Sequence, residues 1–293
     1  MSEQRTSEKA PLILQVAELA MGLSQPYLAD YGSTKSRHDF TQRQLMSCLV
    51  LRAYLKTTYR GVLEYLAVSA PLRERLGLTE KLPHFTTLQK FSLRSNVVAI
   101  VQQLIARIGQ AAARQEPAPV AAAMDATGLS GSTASEYFRS RRGNQCQQWV
   151  KVSVVVLCTS LLPVGIVLSL GPSNDRTQAE ALLTQAQAVS RPATHYADGG
   201  YDAEWIHARC REHWGVESII RPLNHRADGT RGGRWRSGMS PEHLRQRRYG
   251  RRWAVESFFS GLKRTMGSTL NARRPEQMLA EASFRVLAYA LRR

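Results

Sequence analysis

The first third of the chain places apolar residues at the three- and four-residue spacing of amphipathic helices. Leu45, Cys48 and Leu49 share one side of a run within residues 40–112, and residues 12–23 form a similar short run. Because a helical turn takes about 3.6 residues, this spacing brings the apolar side chains onto one face. We predict an all-α domain over residues 1–112.

A helix start is predicted at Thr86, which can act as an N-cap, with Gln89 at the position that completes a capping box. The same helix directs Lys90 and Arg94 outward. A short helix that follows another after a tight loop is compatible with a helix-turn-helix. We therefore expect residues 1–112 to bind DNA ends through Lys90 and Arg94. The alternative is a small helical bundle without contact to DNA.

A polar segment with two prolines, residues 113–119, is typical of a linker. Short apolar strands then alternate with helices, which predicts an α/β domain over residues 120–293. The apolar stretch 152–170 is broken near Pro163, so two buried strands joined by a turn explain it better than a membrane span. With residues 120–125 they make three antiparallel strands.

Two predicted strands end in a carboxylate. Asp125 ends the first strand, and Asp198 ends a later one, where the two following glycines allow a sharp turn and leave room for a bulky ligand. Asp175 and Asp202 precede apolar-periodic segments and are interpreted as helix caps. A strand-end aspartate taken singly is more often a turn residue than a ligand.

A helix is predicted over residues 249–263. At about 100° per residue, Tyr249, Arg252, Glu256 and Lys263 share an arc of about 60°. A neighbouring arc is apolar and predicts a core stripe of Val255, Phe258, Phe259, Leu262 and Met266. The polar arc presents a carboxylate between cations and a phenol. The alternative is a solvated helix face with an ordinary Arg–Glu pair.

The charge of the chain is strongly positive. Lys and Arg number 40 against 23 Asp and Glu, a formal net charge of +17. Such an excess indicates a polyanionic partner, most simply nucleic acid, although charge alone leaves ribosomal or membrane-surface binding open. Residues 221–264 hold twelve of the basic residues. A further basic, aromatic loop provides the candidate DNA contacts Arg139, Arg141 and Arg142.

The four cysteines form no C-x2-C pair, which argues against a zinc ribbon and against a disulfide framework. A reducing cytosol fits this usage. Residues 1–10 are polar and lack the apolar core of a signal peptide. We expect a cytoplasmic protein that associates with the nucleoid and not with a membrane.

Asp125, Asp198 and Glu256 together suggest a metal site, although they lie far apart along the chain. Mg²⁺ prefers oxygen ligands and keeps water and substrate phosphates in its shell. Two such ions about 4 Å apart can activate an attacking hydroxyl and stabilise the leaving oxygen of a phosphodiester. We expect two Mg²⁺ ions here, with Mn²⁺ as a substitute.

These residues resemble those of the insertion-sequence DDE transposases, a group marked by a Y-x2-R-x3-E-x6-K signature. All four signature positions match at the family spacing, and the resemblance covers residues 118–293. The residues that carry it are Asp125, the segment Ala-Asp-Gly-Gly-Tyr around Asp198, and Tyr249, Arg252, Glu256 and Lys263.

The resemblance implies a ribonuclease-H-like catalytic fold in which Asp125, Asp198 and Glu256 are catalytic and bind metal. It also implies Mg²⁺-dependent hydrolysis at transposon ends and attack of the freed 3′-OH on target DNA. Tyr249, Arg252 and Lys263 would hold the phosphates of the transposon end. Arg252 would also orient Glu256. Double-stranded DNA is the expected partner, and synapsis of two ends favours a homodimer.

Three other functions stay open at this point. The first is a metal-dependent nuclease of the same fold without strand transfer. The second is a transposase-derived DNA-binding protein that has lost catalysis, although the intact carboxylates argue against it. The third is a basic structural protein of the nucleoid, which would show no preference for particular DNA ends.

Overall fold

A computed structural model describes residues 10–35, 37–131, 149–223 and 232–293. The chain divides into two compact units, Met1–Arg94 with Leu291–Arg293, and Ser95–Ala290. This division precedes helix α6 (Val97–Ala113), whereas the sequence pattern placed the linker after it, at residues 113–119. The reason is packing: Gln102 of α6 donates to the Ile166 carbonyl of the sheet at 3.3 Å.

The first unit contains the helices α1 (Leu12–Ser24), α2 (Gln42–Tyr54), α3 (Tyr59–Val68), α4 (Ala70–Leu76) and α5 (Phe85–Ser92). Their apolar faces meet in a core that includes Val16, Met46, Leu49, Leu66 and Leu88. Burial of these side chains is what stabilises helices of this length, which are marginal alone.

The predicted capping box at Thr86 is wrong. Helix α5 begins at Phe85, and the side chain of His84 accepts from the Thr86 amide. A capping box does form at the start of α2, where Thr41 accepts from Gln44 and the Gln44 side chain accepts from the Thr41 amide. Both pairs share the Thr-x-x-Gln spacing, so the spacing alone does not decide which one folds as a cap.

The second unit is built on a mixed sheet of β1 (Ala121–Gly131), β2 (Trp149–Leu157), β3 (Pro163–Leu170), β4 (Thr194–Ala197), β5 (Glu217–Ile220) and β6 (Thr269–Leu270). The order is β3-β2-β1-β4-β5, with β6 also paired to β1. Strands β1, β2 and β3 are antiparallel neighbours, and β4 and β5 add in parallel. The mixed α/β class is confirmed.

The apolar stretch 152–170 forms β2 and β3, as predicted. Across the described parts of the chain, no helix has the length and apolar character to cross a membrane. Pairing as a hairpin satisfies the backbone of both strands inside the protein, so this segment needs no lipid to be buried.

Helices cover the sheet. They are α7 (Arg176–Ser190), α8 (Glu204–Ala208), α9 (Pro241–Gln246), α10 (Trp253–Met266) and α11 (Pro275–Arg292). Met124 and Val155 pack with Leu182 and Ile206 in one core. Against α10, α11 approaches closely, since a Cβ on Gly261 would lie 2.0 Å from the Tyr289 hydroxyl.

Asp202 is not the predicted N-cap. Ala203 takes that position, and α8 gives way to a π-helical turn over Arg209–His213. The Asp202 carboxylate is buried, accepts from the Leu223 amide at 3.0 Å and pairs with Arg236 at 2.6 Å. Burial raises the pKa of this carboxyl, but the Arg236 hydrogen bond and its charge hold it below the usual value.

Candidate active site

The register of β1 and β4 brings Asp125 and Asp198 together. The parallel pairing ends at Met124 opposite Ala197, so the next residue on each chain is an aspartate. Adjacent strands lie about 4.8 Å apart, and residues at the same level of a parallel pair project to the same face. Asp198 follows the end of β4 as predicted, whereas β1 continues to Gly131, so Asp125 lies within its strand.

A tight turn shapes the backbone after Asp198. Its Oδ1 accepts from the Gly200 amide at 2.8 Å, and residues Gly199–Tyr201 form a single 3-10 turn. The sequence suggested that the two glycines leave room for a bulky ligand, but the structure shows no open space there. A Cβ on Gly199 would lie 2.8 Å from Leu223, and one on Gly200 would lie 2.6 Å from Asp175. Neighbouring side chains fill the room that glycine provides.

Glu256 joins the site through Arg252. The Arg252 guanidinium donates to Asp125 Oδ2 at 3.3 Å and, through its other terminal nitrogen, to Glu256 Oε1. Burial by itself would lower the pKa of this guanidinium, but the acidic groups around it raise the pKa above its usual value. These groups are Tyr249, Glu256, Asp125 and Asp198. One cation therefore binds two of the predicted carboxylates directly, Asp125 and Glu256, and its charge also interacts with that of Asp198.

The segment that carries Tyr249 and Arg252 is a 3-10 turn, and α10 begins only at Trp253. The predicted helix over residues 249–263 is therefore too long at its start. The turn is attached to β4: the Tyr249 hydroxyl donates to the Ala197 carbonyl at 3.2 Å, and Tyr196 donates to the Arg247 carbonyl at 3.0 Å. These bonds place the turn directly over the Asp198 end of β4.

The predicted apolar stripe of α10 is confirmed, because all five of its residues are buried. This burial orients the helix, so that Glu256 emerges on the exposed side next to Arg252 while Lys263 lies half-buried two turns later. A helix residue and one seven positions on share a face, since seven residues make about two turns. Glu256 and Lys263 thus lie along the same edge of α10.

Asp125 is in an unusual environment for a carboxylate. Burial raises its pKa to about 6, and the negative charges of Asp198 and Asp175 add to the rise. The Ala126 amide and the Arg252 charge oppose it. Like charges gathered at one edge of a sheet take up a proton or a cation, because each disfavours the ionised form of the others.

A family model described as "Transposase DDE domain" matches residues 116–291. The chain belongs to this family. The match supports an insertion-sequence DDE transposase. The matched residues include Asp125, Asp198 and Glu256. No curated protein matches the chain.

The donor chemistry of the transposase site suits Mg²⁺, because its acidic side chains offer the hard oxygen ligands that this ion prefers. In the residues that the structure describes, however, no three His, Cys, Asp or Glu side chains stand close enough to hold a metal ion. Arg252 gives the physical reason, since its guanidinium lies between Asp125 and Glu256. The chain itself thus supplies one positive charge to these two carboxylates.

Other predicted DNA contacts lie elsewhere in the transposase. Lys90 and Arg94 are exposed on or next to α5, with Leu88 and Phe91 buried beneath them. The Arg94 guanidinium stacks 4.9 Å from the Phe91 ring centre and donates to the Gln42 side chain. The loop residues Arg139, Arg141 and Arg142 fall outside the described residues.

Sequence reasoning missed two residues beside the site. Asp175, interpreted only as a helix cap, lies against Gly200 and adds its charge to the environment of Asp125. Lys151 pairs with Asp175 from inside β2. One signal was available: Lys151 interrupts a strand of otherwise mostly apolar residues, and a lysine is rarely buried without a partner.

Proposed function

We propose that the protein is a transposase that hydrolyses phosphodiesters at transposon ends in a Mg²⁺-dependent reaction and joins the freed 3′-OH to target DNA. The single observation that carries this proposal is the Arg252 guanidinium bound to both Asp125 and Glu256, beside Asp198, within a transposase DDE domain. The mixed order of antiparallel and parallel strands supports a ribonuclease-H-like catalytic fold.

Asp125, Asp198 and Glu256 are the residues that would hold the metal. When bound, Mg²⁺ would stabilise the charge that develops on the phosphodiester and help to ionise the attacking hydroxyl. The chain's own contribution is orientation: the β1–β4 register sets the two aspartates side by side, and the Arg252 guanidinium pairs with both Asp125 and Glu256.

Arg252 has a second role in this proposal. A guanidinium binds carboxylates and phosphates with the same geometry, so a DNA phosphate can replace Asp125 and Glu256 as its partner. Release of the two carboxylates would open them to the metal. Tyr249 and Lys263 would hold neighbouring phosphates of the transposon end. DNA binding and metal binding would thereby be coupled at one side chain.

The remaining parts of the proposal concern the partners of the protein. The excess of basic residues suits double-stranded DNA, both ends and target, and Lys90 and Arg94 would contact the ends from the first unit. Pairing of two ends suits a homodimer. A cytoplasmic location at the nucleoid would follow from the DNA substrate.

Cleavage assays test the proposal, with DNA from the ends of the transposon that encodes the protein as the substrate. Asp125→Asn, Asp198→Asn and Glu256→Gln should each abolish Mg²⁺-dependent cleavage and leave end binding nearly unchanged, because each removes a metal ligand without changing the basic surface. Mn²⁺ should replace Mg²⁺, and a chelator should stop the reaction. Cleavage that persists in one variant would remove that residue from the site.

Pre-cut ends separate the competing functions. A transposase joins them to target DNA, whereas a nuclease of the same fold cuts but does not join. A catalytically silent descendant binds the ends without nicking them. A structural nucleoid protein binds without preference for the end sequence.

A further inference from the structure

An ion pair between a buried lysine and a partly exposed aspartate lies beside the Asp198 turn and has no part in the reaction proposed above. Lys151 projects from β2 and is only 4% exposed. Its ammonium pairs with the Asp175 carboxylate and donates to the Ser173 carbonyl at 2.6 Å. An ammonium group so far from water needs an acidic partner, because burial of an unpaired charge is strongly unfavourable.

Asp175 directs its carboxylate away from its own helix. It occupies the N-cap position of α7, yet within the described chain its side chain makes no capping hydrogen bond. Oδ1 pairs with Lys151, and Oδ2 faces Gly200 so closely that a Cβ there would lie 2.6 Å away. The carboxylate therefore abuts the backbone of the turn that follows Asp198.

Gly200 connects Asp175 with Asp198. Its amide donates to Asp198 Oδ1 at 2.8 Å, and a Cβ on this residue would also lie 3.0 Å from that oxygen. Only glycine leaves enough space for both carboxylates to approach the same residue. A displacement of Asp175 would thus reach the Asp198 side chain through one residue.

Tyr201, at the end of the turn that follows Asp198, is influenced by the same carboxylates. Its side chain is fully buried, and burial followed by the charges of Asp175, Asp125 and Asp198 raises the pKa of its hydroxyl. The charges of these three aspartates therefore all act on one buried group. Without Lys151, Asp175 would add an uncompensated negative charge at this point.

We propose that Lys151 and Asp175 are positioning residues that hold the Asp198–Tyr201 turn so that the Asp198 carboxylate stays beside Asp125. Lys151 neutralises Asp175, and Asp175 in turn fixes Gly200 by direct contact. This role rests on the proposed function, in which Asp198 is a metal ligand. It concerns residues outside the Y-R-E-K signature and outside the three catalytic carboxylates.

The double variant Lys151→Met with Asp175→Asn tests the role. It removes both charges while it keeps similar side-chain volumes, and neutral replacement of an ion pair that has a buried member often leaves stability unchanged. Mn²⁺ affinity of the complex with pre-cut ends, measured by calorimetry, should fall about 10- to 100-fold, as for other residues that orient metal ligands. Amide exchange across residues 198–201, followed by mass spectrometry without metal, should become faster.

Gly200→Ala provides an independent variant with the same expected effects, because its Cβ would push Asp175 and Asp198 apart. Gly238→Ala is the matched control, since among the described residues a Cβ there meets only the Trp235 carbonyl at 3.5 Å. Unchanged Mn²⁺ affinity and unchanged exchange in the double variant would overturn the proposal, even with a lower melting temperature. If Asp198→Asn still cleaves DNA, Asp198 is not a metal ligand, and what fails is this part of the proposed function and not the contact of Asp175 with Gly200.

Discussion

Asp125 shows how much the surroundings of a single residue decide at this site. Its side chain is only 20% exposed, and its pKa of about 6 reflects burial and the neighbouring aspartates. A carboxyl whose pKa is higher in the folded protein than in the unfolded chain destabilises the fold once it ionises. The negative charge of the site is therefore unfavourable. Arg252 reduces this cost in part, and a bound metal ion would reduce it further.

We predict that Asp125→Asn stabilises the protein at neutral pH. The wild type should lose stability as the pH rises from about 4 to above about 6, because the unfolded chain releases the proton first. The variant lacks this loss, and its advantage at about pH 7 should be about 1–3 kcal/mol, with part offset by the weakened Arg252 contact. Melting curves across this pH range measure it.

Glu64→Gln is the control, since Glu64 is exposed in the first unit. It should leave the pH profile of the melting temperature unchanged. An Asp125→Asn profile parallel to that of the wild type would show that Asp125 does not ionise with a raised pKa.

At the scale of elements, the 3-10 turn Tyr249–Arg252 precedes α10 in the chain and is hydrogen-bonded to β4. Hydrogen bonds from Tyr249 and Tyr196 fasten it to β4 at one end, and the buried stripe of α10 fixes the other. The Arg252 side chain is 22% exposed, so it can reach a phosphate without unfolding of the turn. This element couples a rigid sheet edge to the solvent-facing side of a helix.

Arg252→Gln should have opposite effects on the two ligands of the site. Mn²⁺ binding in the absence of DNA should become about tenfold tighter, because the competing cation is gone, a gain of about 1.4 kcal/mol. Binding of transposon-end DNA should weaken, and its salt dependence should lose about one unit of slope. Calorimetry and fluorescence anisotropy measure the two effects.

Arg264→Gln removes the same charge from the exposed surface of the same helix. It should weaken DNA binding only slightly and leave Mn²⁺ affinity unchanged. Equal Mn²⁺ affinity of wild type and Arg252→Gln would refute the exchange of Arg252 between carboxylates and phosphate.

At the scale of the whole molecule, a net charge of +17 is spread over both compact units. Charge of this kind attracts DNA without regard to sequence, and phosphate contacts make the affinity depend steeply on salt. Recognition of particular ends therefore needs a dedicated surface. The exposed pair Lys90 and Arg94 on the first unit is the surface that the sequence pattern suggests.

We predict that Lys90→Ala with Arg94→Ala weakens end binding about tenfold or more and lowers the salt slope by about two, as the loss of two phosphate contacts requires. Lys35→Ala with Lys56→Ala removes equal charge from exposed positions of the same unit and should have a smaller effect. Anisotropy titrations at several salt concentrations compare them. Equal effects of the two pairs would argue against end binding by α5.

Much of the site could be predicted from the sequence because its signals are local. The four residues Tyr249, Arg252, Glu256 and Lys263 stand at fixed offsets, and helical periodicity predicts which α10 residues are buried. Apolar runs separated by turn residues likewise predict the hairpin of β2 and β3. These features depend on neighbours within a few positions, so the order of residues determines them.

Only the tertiary structure decided the features that join distant segments. The level of Asp125 beside Asp198 depends on the β1–β4 register, and the pairing of Lys151 with Asp175 depends on how α7 packs on the sheet. Asp202, which the sequence predicted as a helix cap, forms a salt bridge with Arg236 instead. Local spacing limits what a side chain can do, but the partner that it meets is set by strand register and packing.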